Sequence, residues 1–480
     1  MSITAYGSGS RATSAASTQF KSLKDTLGTL QTQLSSGKVA TTYSGLGSGA
    51  TLSLSLNAKL SSLDGYSSAI TTAQNRVNIA ATGLQSVSDL AGSLGADLSG
   101  SFLTDAAQRG QAQTLAQGDM AQVIDVLNSD VNGTYIFSGA ATDTQPVASL
   151  DAILNGADGL KGVTQVVSDR ITADLGSGEG GLTTTATGSN VAIASENATT
   201  DYGFVISSAT SSNAAITVTP GTGTPPSTTL GVTAQPNTGD TISLNLTLPD
   251  GTTKTLTLTA GSSTSDSGDT FAIGVTTDDT AANIKTALDK LLTTSSGTDL
   301  SAASTMRATT DFFDGNYPSD EVVDWYKGDD NSGSARDTYT VGIGDDQSVS
   351  IGMRANETGL KTILSSLAAI AVTSFPSTDT EVDARFNALA SRTSSALLGD
   401  DGRTAVDNMT TDLSVASTTL GSASDRVSAS KAQVQDSIST VEDVDTTETA
   451  QKLLAVQNQL QASYQTTAAI AKLSLTDYLS

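Results

Sequence analysis

All eight prolines of this 480-residue chain lie between Pro146 and Pro376. A proline inside a helix removes a backbone donor and clashes with the preceding turn, so both flanks are free to be long helices and the middle is not. The flanks also carry one rhythm. Apolar residues recur at Ala16, Phe20, Leu23, Leu27, Leu30 and Leu34, and again at Val406, Met409, Leu413, Ala416, Leu420, Ala423 and Val427, in alternating steps of four and three. That spacing places each set on one narrow helical stripe, the seam of a coiled coil. Terminal helices that pair with each other or with neighbouring subunits are expected, and with them an assembly protein. Leu27 and Leu420 are expected to become buried only on assembly.

Three N-terminal helices are predicted, over about 10–35, 51–98 and 105–129. Gly37 is placed to cap the first in the left-handed conformation, and the Gly-rich run 43–49 after it reads as a flexible hinge. The second helix continues the stripe through Leu63, Ile70, Val77, Leu84, Val87, Leu94 and Leu98, and Gly83, Gly92 and Gly95 should weaken it relative to alanine. At the other end, helices are expected over 357–371, from about 381, and over 404–441. A last helix follows the acidic turn Glu442-Asp443-Val444-Asp445, with Leu453, Leu460 and Ile470 keeping the spacing.

The middle changes period. Residues 241–248 alternate polar and apolar, Pro249-Asp250-Gly251 supplies turn chemistry, and 255–259 alternate again, which predicts a hairpin. A second hairpin is expected from 339–343 and 348–351, with a short amphipathic helix over 280–292. Loops are expected at 221–229 and 262–267. The fold class is therefore mainly α with an α+β insert. A helical N-terminal region occupies 1–147, a β-rich, Thr/Ser-rich central domain 148–350, and a helical C-terminal region 351–480.

Composition narrows the function. The chain contains neither histidine nor cysteine, which excludes Ser-His-Asp and Cys-His nucleophilic sites, histidine- or thiolate-bound zinc, and disulfides. Only all-carboxylate chemistry, as in glycosidases, stays open; no catalytic residue, cofactor or metal is expected. A net charge of −25 argues against nucleic acid and anionic membranes. No apolar run approaches the roughly 20 residues of a membrane helix, so no membrane insertion is expected, and the N-terminal residues show no cleavable signal pattern.

The run Gly45-Leu46-Gly47-Ser48-Gly49 lacks the Lys-Ser/Thr pair and the preceding strand of a phosphate loop. Asp329-Asp330-Asn331-Ser332-Gly333 hints at calcium, but its glycine falls one position early and Thr340 stands where a bidentate glutamate belongs; a solvated surface turn is expected. Asp311, Asp314, Asp320, Glu321 and Asp324 surround Phe312, Phe313, Tyr317, Trp325 and Tyr326. That patch reads as a local core, with a glycan or a partner as the alternative.

Three segments carry a family resemblance. Leu34-Ser35-Ser36-Gly37-Lys38 resembles the Leu-Ser-Ser/Thr-Gly-Lys/Arg that ends the first helix of the bacterial flagellin superfamily. Leu460-Gln461-Ala462-Ser463-Tyr464 with Leu473-Ser474-Leu475-Thr476-Asp477-Tyr478-Leu479 resembles the shared carboxyl end. Asn132-Gly133-Thr134-Tyr135-Ile136-Phe137-Ser138-Gly139 with Thr142-Asp143-Thr144-Gln145-Pro146 is similar to a signature of the hook-associated subunits of the hook–filament junction. Filament flagellins usually continue the first motif with Arg-Ile-Asn-X-Ala-X-Asp-Asp; here Val39-Ala40-Thr41-Thr42-Tyr43-Ser44 follows, which favours the junction subunits.

The resemblance implies a flagellin-like coiled-coil bundle and a structural, extracellular flagellar subunit, exported unfolded through a type III channel. It implies self-assembly into a ring or filament, contacts with hook-associated proteins and flagellin, and an export chaperone. The assembly seam would comprise Phe20, Leu23, Leu27, Leu30, Leu34, Leu413, Leu420, Val427, Leu453, Leu460 and Ile470. The rivals are a filament flagellin and an exported adhesin on a coiled-coil stalk.

Overall fold

The computed structural model describes residues 8–100, 106–196, 199–376 and 380–478. Eleven α-helices are described: α1 (Ser8–Ser36), α2 (Ala50–Gly100), α3 (Ala106–Leu127), α4 (Leu150–Asn155), α5 (Val163–Leu175), α6 (Thr277–Ser295), α7 (Ser301–Asp314), α8 (Thr358–Val372), α9 (Val382–Leu398), α10 (Arg403–Glu442) and α11 (Thr446–Tyr478). Gly37 adopts φ +71° and ends α1 as expected. The Gly-rich run forms a 3-10 turn, Tyr43–Gly49, kinked at Gly47, whose φ is +58°.

The chain divides into two compact units. The first comprises the chain up to Thr72, Gly342–Ser348, and the chain from Leu420 onward; the second comprises Ala73–Val341 and Val349–Thr419. In the first unit α1 lies along α11, and α2 runs antiparallel to the end of α10. There Lys431 Nζ is 2.6 Å from Asp64 Oδ1, and Glu442 accepts from Asn57 at 3.2 Å. The hairpin tip joins them: Asp345 accepts from Lys59 (3.0 Å) and Tyr66 (3.1 Å) of α2, and Gln347 accepts from Arg426 of α10 (3.0 Å).

In the second unit α2 packs against α3 and the start of α10. Its stripe Ala73, Val77, Ala80, Leu84, Val87, Ala91, Leu94 and Leu98 is buried, and so are Val406, Met409, Leu413 and Ala416. Two glycines expected to weaken α2 instead permit close approach. A Cβ on Gly83 would stand 2.7 Å from Val126 Cγ1, and one on Gly95 2.8 Å from Leu398 Cγ, separations that real side chains do not tolerate. Helix α7 is buried nearly all round and packs on α5, α8 and α9.

The β-rich part has two four-stranded sheets. Strands β3 (Leu182–Thr187), β4 (Asn190–Ser195), β6 (Ile216–Pro220) and β7 (Thr228–Val232) form one in the order β3-β4-β7-β6; β5 (Val205–Ser211), β8 (Thr241–Thr247), β9 (Thr253–Gly261) and β10 (Thr270–Ala272) form the other, ordered β10-β9-β8-β5. The expected β8–β9 hairpin is present, pairing Thr241 with Thr259 through to Thr247 with Thr253. Its apolar face, Ile242, Leu244, Leu246, Leu256 and Leu258, shares a core with Ile284 and Leu288 of α6. A capping box between Thr276 and Asp279 starts α6. Two small hairpins complete the list: β1 (Asp130–Val131) with β2 (Thr134–Tyr135), and β11 (Thr340–Gly344) with β12 (Gln347–Ser350). Asn132 and Gly133 take positive φ between β1 and β2, as a two-residue hairpin turn requires. Of the loop expected at 221–229, Thr228 and Thr229 belong to β7.

The segment 329–333 is a surface turn as expected, with Asp330, Asn331, Ser332 and Gly333 exposed, and it closes on Arg354. That guanidinium donates to Asp329 Oδ2 (3.0 Å) and to the carbonyl oxygens of Asn331 (2.6 Å) and Gly333 (2.9 Å), and both partners of the ion pair are nine-tenths buried. An internal cation occupies the oxygens that suggested calcium. Leu420, expected to await assembly, is already fully buried in the single chain, as are Leu413 and Val427 to within a few per cent. The reason is that α2 supplies an antiparallel partner stripe within the same polypeptide. The aromatic patch is a local core as expected, with Phe312, Phe313, Trp325 and Tyr326 buried and Phe313 edge-on to Trp325 at 5.1 Å.

Candidate assembly interface

The helices that the seam joins are α1 and α11. The Phe20 and Tyr464 rings meet edge-to-face with centroids 4.8 Å apart. Along α1, Phe20, Leu23 and Leu27 are half-buried, Leu30 is buried, and Leu34 is 37% exposed. Leu453, Val456 and Leu460 on α11 are half-buried; the side chain of Ile470 lies outside the described residues. A two-helix pair shields only one side of each partner, so the seam keeps apolar area that a further helix would cover.

The proposed seam therefore falls into two sets. Phe20, Leu23, Leu27, Leu30, Leu34, Leu453 and Leu460 belong to the α1–α11 pair, whereas Leu413, Leu420 and Val427 belong to the buried stripe of α10. One heptad pattern serves both, because period reports which face is apolar and not what covers it.

At its base the α1–α11 pair is tied to the rest of the first unit by a clasp. Lys38 and Asp443 form an antiparallel bridge; the Val39 amide donates to the Glu442 carbonyl (2.6 Å) and the Val444 amide to the Gly37 carbonyl (3.0 Å). Lys38 Nζ lies 3.2 Å from Glu442 Oε2 and 2.9 Å from Asp443 Oδ1. The Glu442 carboxylate also accepts from the Ser53 hydroxyl and from Asn57 Nδ2. The motif that ends the first helix thus closes on the turn that starts the last one. Asp445 caps α11, its Oδ1 accepting from the Thr447 (2.8 Å) and Glu448 (3.1 Å) amides.

These bonds set the protonation behaviour. The Ser53 hydroxyl, then Lys38, hold the Glu442 carboxyl below its ordinary range. Lys38 does the same for Asp443, and the two acids, Asp443 first, raise the ammonium of Lys38. The sequence reading missed the clasp. Lys38 stood in a quoted motif and Glu442 in a quoted turn, but 404 positions separate them, and no local period links such residues.

The first unit also exposes large apolar side chains: Tyr43, Leu52, Leu54, Leu454 and Tyr464 are all more than half accessible. Each leaves apolar area that a neighbouring subunit could cover. Among the described residues no group of acidic side chains is placed to hold a metal, and no helix is long and apolar enough to cross a membrane.

Comparison with known families bears on this geometry. Residues 9–142 match the bacterial flagellin N-terminal helical region, and residues 398–479 match the bacterial flagellin C-terminal helical region. No curated protein matches the chain. The matched stretches contain α1, α2 and α3 on one side and α10 and α11 on the other, so they include both helix pairs and the clasp between them. The two matches support a structural subunit of the flagellum. The fold is flagellin-like, and the two ends of this chain, over 9–142 and 398–479, are similar to the flagellin helical regions.

Proposed function

We propose that this protein is a structural subunit of the bacterial flagellum at the hook–filament junction, exported unfolded and completing its terminal helices on assembly. The observation that carries the assembly role is the half-covered α1–α11 seam, in which Phe20, Leu23, Leu27, Leu453 and Leu460 keep exposed apolar area. Ordering such a pair against neighbours couples folding to assembly, because isolated helices gain little from propensity alone. The junction role is supported by the resemblance at 132–147 and by the departure at 39–44. Its partners would be further copies of this chain, hook-associated proteins and flagellin, with a chaperone before export.

The division into 1–147, 148–350 and 351–480 is proposed in a finer form. The Ser296 hydroxyl donates to the Gly178 carbonyl (2.6 Å), so the chain leaves for the sheets and returns at one place. Residues 179–295, carrying β3 to β10 and α6, form the insert proper; α5 and α7 stay with the helical body because they pack on α8 and α9.

A filament flagellin is the second reading, favoured by the size of the insert. Immunogold labelling of isolated flagella tests both. Label confined to the base of the filament supports the junction, label along its length supports a filament subunit, and no label on flagella overturns both.

A further inference from the structure

A cleft of about 200 Å³ in the second unit lies between α5, the end of α7 and the segment that follows it. Helix α5 presents Val166, Asp169, Arg170 and Ala173 on one face, at the helical spacing that makes them neighbours. Each wall is fastened. The Lys161 amide donates to the Glu321 carbonyl (2.9 Å) and the Val323 amide to the Lys161 carbonyl (3.0 Å). Arg170 donates to Asp174 Oδ2 (2.7 Å) and to the Asp201 carbonyl (2.8 Å), and the Gly203 amide donates to the fully buried Asp174 (2.9 Å). The cleft is pre-formed, so filling it costs little ordering.

Its chemistry is specific. Val166 and Val322 are buried apolar residues at its floor. Tyr202 is exposed and Tyr317 half-buried, and neither phenol has a hydrogen-bond partner among the described residues. The charges are already matched. Lys161 pairs with Asp169 at 2.9 Å and Arg170 with Asp174 at 2.7 Å; Asp311 takes Arg307 (2.7 Å) and Asn316 (2.9 Å). Glu321 forms no ion pair within bonding distance among the described residues and lies in the field of Lys161, so an anion meets a site whose cations are already engaged. The Arg170 guanidinium covers one face of the Tyr202 ring at 4.9 Å and repels a second cation, while the ring, 42% exposed, keeps apolar area for a neutral ligand. What suits the site is a neutral ligand with an apolar face for an aromatic ring and hydroxyls for two phenols and a carboxylate. The volume is below the roughly 300 Å³ at which whole small-molecule sites begin, and fits one ring.

We propose that this cleft binds a single neutral sugar residue, with Tyr202 as the stacking platform and Tyr317 and Glu321 as hydrogen-bonding partners. The site goes beyond the flagellar reading and does not depend on it, since the unassembled chain contains it whole.

The test is saturation-transfer NMR and calorimetry on the full-length protein with methyl glycosides of glucose, galactose and N-acetylglucosamine, and with methyl glucuronide and tetramethylammonium as charged probes. A neutral glycoside is expected to bind and the charged probes not to. Tyr202→Ala should abolish the signal, and Tyr317→Phe, which removes one hydroxyl, should weaken binding roughly threefold to tenfold. Circular dichroism confirms that both variants fold. Absence of binding by every neutral glycoside at millimolar concentration overturns the proposal. So does a preference for either charged probe, or unchanged affinity in both tyrosine variants.

Discussion

Lys38 and Glu442, 404 positions apart, meet through an ion pair of 3.2 Å at the point where the first helix ends and the last begins. Around that contact two backbone bonds, Asp443, Ser53 and Asn57 bring three segments together. The pair is partly exposed, with 43% of the Lys38 side chain accessible, so after solvent screening it is worth about 1 kcal/mol or less. Lys38→Met is therefore expected to leave the second unit's melting unchanged while speeding proteolysis of 8–36 and 446–478 several-fold. Limited digestion followed by mass spectrometry checks this.

The clasp carries a pH dependence with two signs. Glu442 and Asp443 are depressed; their contribution is present above the ordinary carboxylate values of 4.5 and 3.8 and is lost as pH falls through the lower, folded values. Lys38 is raised above 10.5; its contribution is complete below that value and is lost only as pH climbs through the folded one. The clasp should hold from about pH 5 to pH 10. Protease sensitivity of the termini should rise below about pH 4, and Glu442→Gln should flatten the acid limb of that profile at otherwise unchanged fold.

The two leucines once grouped in one seam should behave differently. Leu420 is fully buried in the single chain, so Leu420→Asp places an unpaired carboxylate in a core and should cost about 3 kcal/mol or more in stability. Leu27 is half-buried; Leu27→Asp should spare the melting of the second unit and block polymerisation. Thermal melts beside a sedimentation assay of polymer separate them.

Helix period made much of this legible. The stripes of α2 and α10 could be named residue by residue because large apolar side chains recur without interruption. Period did not reveal β3 and β4, since β4 has only Val191 and Ile193 as large apolar residues and β3 only Leu182; Thr, Ala, Asn and Ser fill the rest. Nor did it find α7, because its buried positions are largely Ser, Ala and Thr, which do not stand out as an apolar stripe; only Arg307, Thr310 and Asp314 are exposed. The cleft at Tyr202 and Tyr317 escaped because its walls are joined by backbone bonds between segments distant in sequence.

The loop at 329–333 should ignore calcium. Arg354 already occupies its oxygens, so neither calcium nor chelator should shift the melting temperature. Arg354→Met leaves Asp329 buried without its partner and should cost about 3–5 kcal/mol, read by denaturant titration.

Deleting 179–295 with a short linker between Gly178 and Ser296, which touch at 2.6 Å, should leave export and assembly intact. Deleting 148–334 also removes α7 and uncovers α8 and α9, and should abolish folding. Secretion and polymer yield of the two variants distinguish these outcomes.

The central claim is that α1 and α11 of one chain form the assembling pair. The chain has no cysteine, so Phe20→Cys with Tyr464→Cys introduces the only two thiols, at side chains whose rings lie 4.8 Å apart. A short bis-maleimide applied to assembled flagella should yield cross-linked monomers on denaturing gels, joined within one chain. Cross-links only between subunits, giving a ladder of multimers, or none at all, would contradict the pairing.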